Sequence, residues 1–355
     1  MRTCFLSSLL AAFSLLGMGS AVGLAQNDVA DPEAYREEKR RATETFLDST
    51  RPKAARLAAA KKLRYPEPET FERLLLVGKD RGEDDEIRLA ALERYLYDEK
   101  YLDTVLGILA DPDDGGELLD AGLIDNISRR TTFRQPTEVR QRLQSALRER
   151  LGDARPAVRL AAYRALAASH DPAAISRLVE GLRSGAPPIP AADAIELLDV
   201  DGSAKHIVTL RPYLDDGDPA VRGQAARALA LDPESRQRIV GLATDRETPV
   251  EVRAHALRAL AREDEGFLQY ATTLMLDGRE RADIRYLAMK AAVGRMNYHE
   301  LPAKTQIAFA QAVQRLSSQQ GPTTTDGRDL GAEAKELFAY LLKAFPVIRR
   351  HYALR

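Results

Sequence analysis

One five-residue phrase recurs along the chain, each time at the start of an expected helix: Val158-Arg159-Leu160-Ala161-Ala162, Val221-Arg222-Gly223-Gln224-Ala225, Val252-Arg253-Ala254-His255-Ala256 and Ile284-Arg285-Tyr286-Leu287-Ala288. Arg222 and Arg253 are 31 residues apart, and Arg253 and Arg285 are 32 apart. A period of that length fits one helical hairpin, and hairpins repeated at a fixed step stack into a solenoid. Such a fold offers a surface more than a pocket, so the repeat constrains the scaffold and leaves the ligand open.

Counting from Val158, apolar or small residues fall at +3, +4, +7 and +8 (Ala161, Ala162, Ala165, Leu166), which is one stripe of a 3.6-residue helix. Ala225, Ala228 and Leu229 repeat the stripe after Val221, as do Ala256, Ala259 and Leu260 after Val252, and Leu287, Ala288, Ala291 and Ala292 after Ile284. Alanine keeps helix propensity high and lets neighbouring helices approach closely. A second helix is expected after each, such as 173–182 with Ile175, Leu178, Val179 and Leu182. One such pair is too thin to bury its own face, and stacked neighbours must complete the core. Helix starts are predicted at Asp171-Pro172, Asp218-Pro219, Asp232-Pro233 and Thr248-Pro249, where a side-chain oxygen caps free amides and proline is tolerated in the first turn.

Weaker copies extend the pattern. Ile87-Arg88-Leu89-Ala90-Ala91 lies 71 residues before Arg159, and Ala55-Arg56-Leu57-Ala58-Ala59 lies 32 before Arg88. The long gaps predict a divergent unit near 118–133 and another near 191–198, the latter with 204–214 as its second helix. About eight units then fill 48–302. Residues 26–47 form a charged N-terminal helical cap, with acids and bases placed to pair at i,i+4. Residues 303–355 form a C-terminal helical cap interrupted by a flexible loop at 317–331, rich in Ser, Gln, Gly and Thr. Its last helix, with Leu337, Phe338, Leu341, Leu342 and Phe345, either seals the last repeat or, with the basic tail of Lys343, Arg349, Arg350 and Arg355, touches a membrane surface or partner.

The stretches Asp153 to Ala162 and Asp216-Gly217-Asp218-Pro219-Ala220-Val221-Arg222 resemble HEAT repeats, especially the short type of phycobilisome lyases. The resemblance covers most of 48–302, clearly in four units, while the signatures of ankyrin and tetratricopeptide repeats are absent. It implies an all-α, right-handed α-solenoid of stacked helical hairpins with the Val-Arg helices lining the concave side, and a role in holding partners. It also implies that Arg56, Arg88, Arg159, Arg222, Arg253 and Arg285, at template position +1, pair with turn acids of their own or the next unit: Asp153, Asp216 or Asp218, and Glu247.

A second basic column stands at +6: Lys61, Arg164, Arg227, Arg258 and Lys290, with Glu93 the exception. Lysine and arginine are ordinary on solvated helix faces, yet a continuous stripe would receive an acidic protein segment or an anionic polymer. These five residues are the candidate partner-binding site.

Other functions find little support. The chain has 52 basic and 53 acidic residues, a formal net charge of −1, so neither nucleic acid nor an anionic membrane is favoured by bulk charge. Its single cysteine, Cys4, falls within 1–25, which reads as a cleaved secretory signal: Arg2, an apolar run from Phe5 to Leu16, and small residues before Gln26. An exported, periplasmic or extracellular protein without disulfides follows. Asp111-Pro112-Asp113-Asp114-Gly115-Gly116 resembles a calcium loop but has Gly115 and Gly122 where carboxylates are needed. HEAT-like iron hydroxylases carry several His-Glu pairs, and this chain has only His299-Glu300. His255 reads as a packed residue, and His170, His206 and His351 share no ligand spacing. No metal, cofactor or catalytic group is therefore expected. The function expected is a non-catalytic scaffold holding a protein partner, with an enzyme or enzyme accessory of the HEAT-like lyase type as the alternative.

Overall fold

The computed structural model describes residues 32–353 apart from 64–67, 94–98, 112, 132–136, 264–265 and 319–320. The expected signal segment, 1–25, lies outside the described residues. The chain divides into two compact units, one up to Arg73 and one from Leu74 onward.

The first unit contains α1 (Pro32–Leu47), α2 (Lys53–Ala60) and the start of α3 (Pro68–Lys79). Exposed ion pairs run along α1, where Arg40 meets both Glu37 and Glu44 and Arg41 meets Glu37. Its other side buries Ala42 and Phe46, which share a core with Ala59, Ala60 and Leu63. Phe46 O accepts from Arg56 Nε at 2.8 Å, so the end of α1 receives the arginine of the first Val-Arg-like helix.

The second unit is an array of helical hairpins: α4 (Asp85–Leu92) with α5 (Glu99–Ala110), α6 (Glu117–Thr131) with α7 (Thr137–Glu149), α8 (Pro156–Ala168) with α9 (Pro172–Ser184), and α10 (Ala191–Gly202) with α11 (Ile207–Leu210). It continues with α12 (Pro219–Ala228) and α13 (Arg236–Thr244), α14 (Val250–Glu263) and α15 (Phe267–Leu276), and α16 (Ala282–Tyr298) and α17 (Ala303–Ser317). The pair α18 (Leu330–Ala344) and α19 (Pro346–Ala353) packs on α17. First helices pack on one another in the series α4, α6, α8, α10, α12, α14, α16, while α5 packs on α7, α9 on α11 and α15 on α17. The array is therefore two layers of helices with the core between them. The described residues form no strand, only an isolated bridge between Thr323 and Asp329.

The alanine stripe fills that core. At template position +4, Ala91, Ala162, Ala225, Ala256 and Ala288 are all 0% exposed, because a methyl group is what the closely packed first helices leave room for. Some crossings need less than alanine: a Cβ on Gly78 would lie 2.6 Å from two atoms of buried Leu92, and one on Gly223 would lie 3.0 Å from the His255 ring.

Four local expectations are corrected. The segment 204–214 holds only the single turn of α11, flanked by 3-10 turns at Ser203–Lys205 and Arg211–Asp215, since Pro212 has no amide for a continuing helix. Asp171 and Asp218 cap α9 and α12, but Asp232 does not cap α13, whose N-cap residue is Ser235; it is buried in the turn before α13, bonded to Ser235 Oγ and Arg211. Thr248 donates its hydroxyl to Asp245 instead of capping α14. Within 317–331, read as a flexible loop, residues 321–329 are tied down: Thr325 donates from N and Oγ1 to Asp283, and Arg328 bonds the Tyr286 hydroxyl at 2.6 Å. Polar composition resembles a linker's because these side chains fold the turn on itself, as in Thr324 Oγ1 to Asp326 and Thr324 N to Arg328 O.

Candidate partner-binding face

The +1 arginines are structural. Arg56, Arg88, Arg253 and Arg285 each donate Nε to the carbonyl ten residues upstream, on Phe46, Gly78, Ala243 and Met275, at 2.8, 3.1, 3.1 and 2.8 Å. These carbonyls lie at the C-terminal ends of the preceding helices, where acceptors lack intrahelical partners and the helix dipole is negative. Where a 3-10 turn intervenes, the bond shifts, so Arg159 Nη1 reaches Asp153 O and Arg222 Nη1 reaches Asp216 O at 2.6 Å and Gly217 O at 3.1 Å. The expected pairing with the carboxylates of Asp153, Asp216, Asp218 and Glu247 is thus corrected. Asp153 bonds Arg155 and Arg150, Asp216 folds its own turn onto Asp218 N, and Asp218 caps α12. Carboxylate partners come instead from the next loop, Asp114 for Arg88 and Glu280 for Arg253.

The +6 residues of the second unit lie on the first-helix layer, and the structure separates them by their surroundings. Arg164 on α8 bonds Asp193 of α10 at 3.0 Å. Arg227 on α12 faces α10 from the other side, with Glu196 at 3.6 Å and Asp199 at 3.4 Å, and bonds Gln224 at 2.9 Å. Helix α10 carries Asp193, Glu196, Asp199 and Asp201 and no basic residue, so it neutralises the arginines on both flanks. Arg258 on α14 is exposed and has no ion pair or hydrogen bond among the described residues. Lys290 on α16 is exposed, its ammonium 5.9 Å from the centroid of Tyr286. Lys61, exposed at the end of α2, belongs to the first unit. The stripe is therefore discontinuous, with its unneutralised charge in the second unit on α14 and α16.

His255 sits between these two regions and packs against Gly223. Burial, reinforced by Arg258 and Arg227, pushes its imidazole below the usual histidine value, so the ring adds no charge at neutral pH. Sequence reasoning missed the acids of α10 because they matter only once α8, α10 and α12 are stacked.

Sequence reasoning also missed a clasp. His170 Nδ1 and His206 Nε2 each lie 2.9 Å from one oxygen of Asp201, and Lys205 Nζ lies 3.0 Å from Asp201 O. Burial raises the Asp201 carboxyl, but hydrogen bonds from His170, His206 and Lys205 outweigh it and leave the pKa at about 2. His170 has φ of 55° because it ends α8 in a left-handed turn, in which Asp171 N bonds Leu166 O and His170 N bonds Ala167 O. The calcium-like loop is likewise committed to arginines, Asp111 to Arg81 and Asp114 to Arg88. His299 and Glu300 are exposed, and among the described residues no group of three His, Cys, Asp or Glu is placed to hold a metal ion. None of the described helices is long and apolar enough to cross a membrane.

Stacked hairpins, a buried alanine column and a repeated arginine contact define an all-α solenoid of helical hairpins. The HEAT-repeat family profile matches residues 132–199. Solved structures similar to the chain include the complex of CpcE and CpcF of phycocyanin lyase from Nostoc sp. PCC7120, at 18% identity and a TM-score of 0.40, covering 78% of this chain and 96% of that one. An engineered protein matches at 19% identity and a TM-score of 0.40, covering 86% and 89%. Human deoxyhypusine hydroxylase in complex with glycerol matches at 15% identity and a TM-score of 0.32, covering 75% and 98%. No curated protein matches the chain by sequence.

Proposed function

We propose that the protein is an exported, non-catalytic scaffold that holds a protein partner on the face of its Val-Arg helices, with Arg258 and Lys290 as the principal contacts. One observation carries this reading. At the same template position α8 and α12 have their charge neutralised by α10, whereas α14 and α16 present an exposed arginine and an exposed lysine with no acidic partner among the described residues. Unpaired cations on a rigid helical face favour an acidic protein segment and accelerate its encounter. Arg164 and Arg227 remain on the proposed surface as flanking residues, and Lys61 belongs to the first unit.

The test uses mature protein, Gln26 to Arg355, to capture partners from an envelope extract. Arg258→Glu with Lys290→Glu is expected to lose a specific protein that the unmodified chain and the Arg164→Glu, Arg227→Glu variant retain. Equal capture by all three overturns the assignment, and recovery of a coloured cofactor or metal without a protein moves the reading to the lyase-type alternative. Export is checked by N-terminal sequencing of protein from the envelope fraction, which should begin at Gln26.

A further inference from the structure

The half-buried ring of His255 on α14 rests on the backbone of α12, where Gly223 leaves it room: a Cβ there would lie 3.0 Å from His255 Cδ2 and 3.3 Å from Cγ. Arg227 follows Gly223 by one turn of α12, and Arg258 follows His255 by one turn of α14, so both guanidinium groups stand on the side where the ring lies. The ring's Nδ1 is buried and meets no donor or acceptor among the described residues, and Arg227 Nη2 is in the same condition. A proton on Nδ1 would therefore have no acceptor within the chain and a cation on either flank.

Those surroundings keep the ring neutral in the free protein. Burial, then Arg258, then Arg227 push its pKa below the usual histidine value, and Glu196 of α10 is the acid that opposes them. On the other helices packed against α14, α15 carries no charged residue, and the charges of α13 (Arg236, Arg238) and α16 (Asp283, Arg285, Lys290, Arg295) do not act on the ring. Glu196 is itself drawn to Arg227, at 3.6 Å. Arg258 has no acid of its own among the described residues, so its charge stands unopposed beside the ring.

We infer that His255 makes partner capture proton-linked: when an acidic segment of a partner settles on Arg258, the ring takes up a proton, so affinity for that segment rises as the medium turns acid. This rests on the proposed function and adds a regulation to the same face. A carboxylate on Arg258 cancels one of the two charges that repel a proton from the ring, which raises the ring's proton affinity. Linkage is reciprocal, so the protonated ring raises the affinity for the carboxylate by the same factor. The sign follows from the depressed starting point. Above the bound-state pKa neither form holds the proton and pH has no effect; the gain grows as pH falls between the bound and free values and is complete below the free one.

The probe is a blocked hexa-aspartate peptide, whose side chains titrate near ~4 and keep their charge down to about pH 5. Its affinity for full-length mature protein should rise about tenfold from about pH 8 to about pH 5, the gain of a ring whose pKa rises by about one unit on binding. His255→Gln, neutral throughout, should bind as the unmodified chain does at the upper pH and lose that gain. Histidine-ring NMR of the unmodified chain reads the same event directly: the titration midpoint of His255 should move up when the peptide is added. Arg258→Gln removes the charge permanently, so its His255 midpoint should already be raised and the peptide should move it no further. Equal affinity at both pH values, a gain that persists in His255→Gln, or a His255 midpoint indifferent to the peptide overturns the inference and leaves the acidic-segment face standing. Absence of binding at either pH overturns both.

Discussion

Asp232 accepts two guanidinium N–H groups of Arg211, from Nε and Nη2, at 2.8 Å and the hydroxyl of Ser235 at 2.5 Å. The Arg211 bonds, against the opposing effect of burial and with help from Ser235, hold its carboxyl at about 2. Asp153, held mainly by Arg155, and Asp201, held by its two histidines against burial, also stand at about 2. The ordinary value for an aspartate is 3.8, so the stability these groups contribute is complete above that pH and is lost as pH falls from about 4 towards 2. Urea midpoints measured across that range should fall steeply for the unmodified chain. Asp232→Asn should cost about 2 kcal/mol at pH 7 and show a shallower acid slope, since one of the three linked groups is gone. The Asp-Pro pair at 232 reads as a cap in the sequence, and only Arg211, 21 residues away, gives it a different use. Arg164 and Arg258 make the same point: identical residues at identical template positions differ because α10 brings Asp193 to one of them.

Among the helices, the legible part was the part with a period. Val158, Ala162 and Leu166 are each 0% exposed, as the 3.6-residue stripe requires, and the equivalent Ala225 and Leu229 are too. The +4 alanine is the tightest position of the repeat, so Ala256→Leu should overpack the crossing of α12, α14 and α16 and destabilise by about 1–3 kcal/mol, read from denaturant midpoints. Ala168→Leu, at an exposed position near the end of α8, should change stability by less than about 0.5 kcal/mol. The single turn of α11 was less legible, because Pro212 and a run of short 3-10 turns replace the second helix that the spacing calls for.

For the molecule as a whole, the sequence reading left open whether the C-terminal helix seals the array or contacts a partner. In the second unit α18 and α19 bury Leu330, Leu337, Leu341 and Ile348 and cover α17, where Phe309, Val313 and Leu316 are fully buried. Phe338 meets Tyr352 edge to face at 5.1 Å, and the Tyr352 hydroxyl bonds Gln314. Truncation after Gly331 removes Leu337, Leu341 and Ile348 and should therefore cost on the order of 5 kcal/mol and expose α17, seen as a lower thermal midpoint and dye binding to apolar surface. An unchanged midpoint would show that these helices do not seal the array.

The amino-acid sequence by itself determined the repeat, the helical hairpin as its unit, and the alanine column that lets hairpins pack closely. These follow from propensity and periodicity, which act within a few residues along one helix. Tertiary structure alone decided where the charges are cancelled and which acid meets which arginine. Those contacts join residues some 20–40 positions apart on neighbouring repeats, and a charge in this fold takes its meaning from the helix or loop stacked against it.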